Sequence, residues 1–254
     1  MDLSVPSATL AALLLGTARA TGFVVLAPPF NNASIPMPVK GTFALALALV
    51  VFPHLTADMP AVTPGFLVVA AITEAVIGAA LGFVVQVLFA AVQMAGDIID
   101  VAGGFSLQPA YDPMSLTMSS SIGRLHYLLA TTLLFTSGGH LLLVRGFVTS
   151  YEGLPLGGMI DTAQLGQAMM TALAMMFLAA LQIAGPMVAV LLLADVALAL
   201  LSKAAPSLNI FSLGFPVKIM LTLTLLGLTF PLLPTALDAL VSTAIHAMTA
   251  FRGR

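Results

Sequence analysis

The sequence contains no cysteine and no tryptophan, only three tyrosines, and very few charges. Without cysteine there is no disulfide, no thiolate nucleophile and no cysteine metal site. Without tryptophan, any interfacial aromatic belt rests mainly on phenylalanine, which anchors less well. Asp, Glu, Lys and Arg make up 7% of the 254 residues. Soluble domains average about 25%, so a water-facing surface cannot be built from so few. The formal net charge of −2 provides no electrostatic footprint for nucleic acid. GxSxG, HExxH, P-loop and dinucleotide signatures are also missing, so neither an enzymatic reaction nor a cofactor is expected.

What is there is apolar. Hydrophobic residues account for 60% of the chain and the mean hydropathy is +1.11. Several stretches reach or approach the ~20 residues that cross a hydrocarbon core. The reading is an all-α, multispanning integral membrane protein of about six long hydrophobic helices with kinked helical hairpins. The zones run Ser7–Ala27, Val39–Leu55, Gly65–Ile99, Ile122–Val144, Leu165–Leu201 (with Pro186 as a kink) and Val217–Leu233. The N-terminal MDLSVPSATLAALLLGTARA resembles a signal peptide in its apolar run. With Asp2 and no basic n-region, it reads instead as a retained first helix. The third zone would be about 52 Å long at helical rise, more than a ~30 Å hydrocarbon core. It either projects beyond the bilayer or forms two pieces. Lys and Arg are spread over successive segment ends without alternation, so they set no orientation. A subunit enclosed by other proteins need not meet lipid on every side.

Within the third zone, Glu74, Gly78, Gly82, Gln86, Ala90, Gln93, Asp97 and Asp100 follow one another at spacings of three or four. On a continuous helix they form one small or polar stripe, which also takes in Gly96. Two readings stand: close helix packing over small residues, or an aqueous path or partner-binding face. Asp97 and Asp100 have no histidine nearby in sequence and no other clustered ligand, so a metal pair is not expected. His126 and His140 lie too far apart along one helix to form a single site, and His140 reads as a hydrogen-bonding residue at a membrane boundary. The cluster Met169, Met170, Met175 and Met176 reads as adaptable helix packing. A proton or ion carrier using Glu74, Asp97 and Asp195 is a second reading, although no internal inverted repeat is visible.

Four motifs carry a resemblance: QMAGDIIDVAGGFS (Gln93–Ser106), Asp112-Pro113, GGHLLLV (Gly138–Val144) and KAAPSLNIFSLGFPVKI (Lys203–Ile219). In order and spacing, over nearly the whole chain, they resemble the FliR family of flagellar biosynthetic proteins. That family includes the equivalent export-apparatus subunit of virulence type III secretion systems. In the family's AGExID motif, Asp97 stands for the usual Glu and Asp100 matches. In its RxxPQxNVF motif, Lys203 stands for Arg and Ser207 for Gln, while Pro206, Asn209 and Phe211 match. Lysine keeps the charge but loses the guanidinium fork.

The resemblance implies a subunit that joins FliP and FliQ homologues in an export gate and contacts an FlhB homologue. Unfolded flagellar export substrates would pass through that gate at the bacterial inner membrane, in the flagellar basal body. It also implies a fusion of the FliP and FliQ folds in one export-gate domain over 1–254. The FliP-like part would span 1–201, and 202–254 would hold the hairpin tip and C-terminal helices, the FliQ-like part beginning within the fifth zone. A plug loop is implied at 104–121, with Gly104, Phe105, Gln108, Asp112, Pro113, Met114 and Met118. The hairpin tip is expected to turn on Lys203, Pro206, Asn209, Phe211, Gly214, Pro216 and Lys218, with the sixth helix restarting near Pro216.

Overall fold

Near-continuous runs of Leu, Val, Ile and Ala, broken by proline and glycine only at intervals, favour long helices. A computed structural model describes residues 7–55, 63–105, 120–158, 161–207 and 210–249. Eight α-helices occur among them: α1 (Ser7–Leu26), α2 (Met37–Leu55), α3 (Pro64–Gly103), α4 (Ser121–Thr136), α5 (Gly139–Gly153), α6 (Thr162–Ala204), α7 (Ile210–Thr229) and α8 (Leu233–Thr249). No strand occurs among the described residues. The expected all-α membrane architecture holds. Four runs are long and apolar enough to cross a membrane, and a fifth is added if α4 and α5 count as one interrupted span.

Several boundaries differ from the sequence expectation. The third zone is one unbroken helix of 40 residues, about 60 Å at helical rise. The fourth is interrupted at Ser137-Gly138, where Gly138 takes a left-handed φ of 74°, and α5 then runs on to Gly153. His140 therefore sits in the first turn of α5. Gly214, Pro216 and Lys218 lie inside α7 rather than in the turn, because α7 starts at Ile210. Beyond Leu233 the chain forms α8, a helix for which the apolar zones left no room.

The helices group into two compact units: Met1–Leu88 with Phe135–Ala174 and Leu240–Arg254, and Phe89–Leu134 with Met175–Ala239. In the first, α1 meets α3 almost backbone to backbone. A Cβ on Gly78 would run into the Arg19 carbonyl, and one on Gly82 would come within 2.7 Å of the Phe23 carbonyl. Gly78 and Gly82 form a GxxxG pair, the spacing that lets membrane helices approach closely. Aromatic rings continue from that contact, with Phe43 on Phe30, Phe30 beside Phe23, Phe23 stacked on Phe147 at 4.8 Å, and Phe147 edge-on to Tyr151. In the second unit, Ala95 and Ile99 of α3, Ile122 of α4, Ala180, Ala184 and Met187 of α6, and Leu226 of α7 form the buried core.

Candidate functional site

Arg19 leaves α1 at the level where Gly78 brings α3 closest, and it emerges against Glu74, one turn earlier on α3. Its Nε donates to Glu74 Oε2 at 2.5 Å, and both side chains are fully buried. Arg19 Nη2 donates to the Leu154 carbonyl at 2.9 Å. The guanidinium lies 4.0 Å over the Tyr151 ring, a cation–π contact, and the Tyr151 hydroxyl donates to the Gly16 carbonyl at 3.2 Å. Glu74 Oε1 accepts from Gly157 N at 2.9 Å. Gly157 has a φ of 73°, and a Cβ there would come 2.8 Å from the Phe66 ring, so only glycine fits. One pair of opposite charges thus ties α1, α3, α5 and the 154–158 connection together. Arg19 Nη1 alone among the cluster's donors has no partner among the described residues.

The cluster has no nucleophile poised against a base. Its chemistry is cohesion: the planar guanidinium fork joins the Glu74 carboxylate to the Leu154 carbonyl.

In the second unit the lower half of the stripe meets the start of α4. Asp100, almost fully buried, accepts from Ile122 N at 3.2 Å, and Ser120 Oγ accepts from Gly123 N at 2.8 Å. A carboxylate and a hydroxyl thereby serve the free donors at a helix N-terminus. A Cβ on Gly96 would stand 2.6 Å from Gly123 Cα, and one on Gly123 would collide with the Asp97 carboxylate. The α3–α4 contact therefore needs glycine on both sides. His126, one turn further along, is buried with Nδ1 3.0 Å from the Ile122 carbonyl.

The expected stripe is thus divided. Glu74, Gly78 and Gly82 are spent on α1 and the 154–158 connection, and Gly96, Asp97 and Asp100 lie at the start of α4. Gln86 is half-buried and Gln93 exposed. Of the loop residues, Gly104 (φ 84°) and Phe105 are described, with Phe105 packed on the second unit's core. Gln108, Asp112, Pro113, Met114 and Met118 lie outside the described residues.

At the hairpin, Lys203 and Pro206 are exposed and Gly214 is buried. Asn209 is outside the described residues, and for Phe211 only its place in α7 is described. Lys218 pairs with Asp195 of α6 at 2.7 Å. His140 lies with its ring 5.0 Å from Phe135. Met170 and Met175 are exposed, so the methionine cluster does not serve this chain's own core alone.

Sequence reasoning missed Arg19, Tyr151 and Gly157 as site residues. The usable signal was the rule that a charge inside an apolar span needs a partner, applied to Arg19 and Glu74 together.

Long apolar helices, with Arg19 and Glu74 hidden as a pair, define a multispanning α-helical membrane protein. The chain belongs to the family described as Bacterial export proteins, family 1, whose model matches residues 10–244. It is 33% identical over 230 residues to the flagellar biosynthetic protein FliR of Escherichia coli K12, covering 91% of this chain and 88% of that one. It is 30% identical to FliR of Pectobacterium carotovorum over 88% of this chain and 86% of the relative. It is 28% identical to FliR of Bacillus subtilis 168 over 93% of each. The chain is a membrane-embedded subunit of the flagellar export apparatus.

Proposed function

We propose that this subunit joins FliP and FliQ homologues to form the channel through which unfolded flagellar proteins leave the cell. The observation that carries the proposal is the bareness of α6. Only 17% of its apolar window is buried by the chain itself, against 67% for α3. A helix apolar all round is enclosed either by protein or by lipid; in a chain of the bacterial export protein family, α6 is read as a surface offered to other helices. Glu74 and Asp195 are each ion-paired within the chain, which leaves neither as an unpartnered carboxylate for the carrier alternative.

Within this reading, 1–201 is the FliP-like part and 202–254 carries the hairpin tip and C-terminal helices, with the FliQ-like part beginning inside α6. The site is the bacterial inner membrane at the flagellar basal body, with an FlhB homologue in contact. The stripe residues left exposed, Gln93 foremost, are available to a neighbour or the lumen. Lys203 and Asn209 at the hairpin serve assembly, and 104–121 obstructs the resting channel. The names of the relatives favour the flagellar over the virulence version.

Affinity purification of the tagged chain tests the assignment. Both homologues should co-elute, and recovery as a homo-oligomer free of them would overturn it. Deleting 104–121 should make the assembled complex leak ions; unchanged conductance in an intact complex would remove the plug assignment.

A further inference from the structure

The chain leaves the core of the second unit at Phe105 and returns to it at Ser120. Three consecutive residues set the exit. Gly103 ends α3 against α7, where a Cβ would come 2.7 Å from Thr222 Oγ1. Thr222 is fully buried and donates to the Lys218 carbonyl, so it has nowhere to yield. Gly104, at φ 84°, turns the chain out of the helix beside the Phe215 ring, and its N–H donates to the Val101 carbonyl. Phe105 then packs on the buried core that holds Ile99 and Ile122.

The return is set differently. A helix start is normally served from its own first turn, and Ser120 does this with its hydroxyl for Gly123 N and its carbonyl for Arg124 N. Ile122 N is the exception. Its acceptor is Asp100 Oδ1, 22 residues earlier, in the last turn of α3. Asp100 and Ile122 are each 4% exposed, so water is a poor substitute for either partner. The close approach of Gly96 to Gly123 holds the two backbones together beside that bond. A local cap would serve α4 alone. A cap taken from α3 also fixes where α4 begins relative to the end of α3.

We infer, resting on the obstruction assigned above to 104–121, that Asp100 is a positioning residue for that segment. It pins the returning limb beside the fixed exit Gly103–Phe105 and so holds the obstruction in register.

The test uses the full chain in the assembled export complex, with Asp100→Ala, Asp100→Leu and Asp100→Asn. Alanine and leucine remove the acceptor, leucine without leaving a cavity, and asparagine keeps an oxygen there. Amide hydrogen exchange of the peptide covering Ile122 reads the attachment. Ion leak per recovered complex reads the obstruction, with deletion of 104–121 as its scale. Asp100→Ala and Asp100→Leu should speed exchange at the start of α4 about ten-fold, the scale of one lost buried hydrogen bond. Both should raise the leak several-fold, and Asp100→Asn should stay near the parent in both readings. Unchanged exchange, or faster exchange without added leak where the deletion leaks freely, overturns the role of Asp100 and leaves the obstruction standing. A leak from Asp100→Asn equal to that from Asp100→Ala overturns it too, since the acceptor is then not what matters. If only Asp100→Asn assembles, Asp100 serves folding and not position. A deletion that does not leak removes the obstruction itself, and the role of Asp100 with it.

Discussion

The pair Arg19–Glu74 is neutral as a unit but uncompensated once halved. Both side chains are fully buried and three further groups converge on them, so the loss of either leaves a charge with no water to turn to. Arg19→Met or Glu74→Gln alone should destabilise the chain by about 3–5 kcal/mol, the usual cost of breaking a buried pair. The measure is the fraction surviving heating in detergent, read by size-exclusion chromatography. The double variant Arg19→Met with Glu74→Leu should recover most of that loss, because no charge is then stranded. Single variants as stable as the parent would show that the pair does not hold the helices. Half of this site was legible beforehand: Glu74 stood out as an acid in an apolar run. Arg19 did not, because it was 55 positions away among charges spread over segment ends, and only the fold puts the two side by side.

At the scale of the helical hairpin, Asp195 on α6 and Lys218 on α7 make an ion pair at 2.7 Å between two helices whose exposed side chains include Leu192, Leu193, Val196 and Met220. Inside a membrane an unpaired charge costs about 2.5–3.5 kcal/mol by insertion scales. Asp195→Ala or Lys218→Ala should therefore lower the amount of chain recovered in membranes, and Asp195→Ala with Lys218→Ala should restore it. A double variant no better than the worse single one would mean that the residues act separately. The sequence showed both residues but not their pairing, because it placed Lys218 at the tip and began the sixth helix seven residues late. Proline near a helix start is common, which points to Pro216 as that start, yet α7 accommodates it in its second turn. The break at Ser137-Gly138 escaped for the opposite reason. Its flanks are apolar on both sides, and hydrophobicity alone does not register a left-handed glycine. The existence of α3 was legible from length and composition, its start to one residue and its end to four, whereas they leave its continuity as one helix open.

For the whole molecule, the question is what covers the bare helices. Leu192, Leu193 and Leu200 of α6 and Met220 of α7 are each more than half exposed. Lipid tails and a packed partner helix would both accept these side chains, so burial arithmetic does not separate them. Bulk does. Fluid lipid accommodates a tryptophan in place of Leu193 or Met220, whereas a fitted protein contact loses about 1–3 kcal/mol to overpacking. Under the channel proposal, Leu193→Trp and Met220→Trp should leave the amount of chain in membranes unchanged and reduce recovery of the complex with the FliP and FliQ homologues several-fold. Abundance of the parent chain should in turn rise several-fold when those homologues are co-expressed, because binding removes the unfolded fraction open to proteolysis. If the tryptophan variants assemble as well as the parent, the outer faces of α6 and α7 meet lipid in the mature apparatus. The partners would then have to dock on the remaining exposed helical surfaces, among them the Val68–Val69–Ile72–Val76 side of α3.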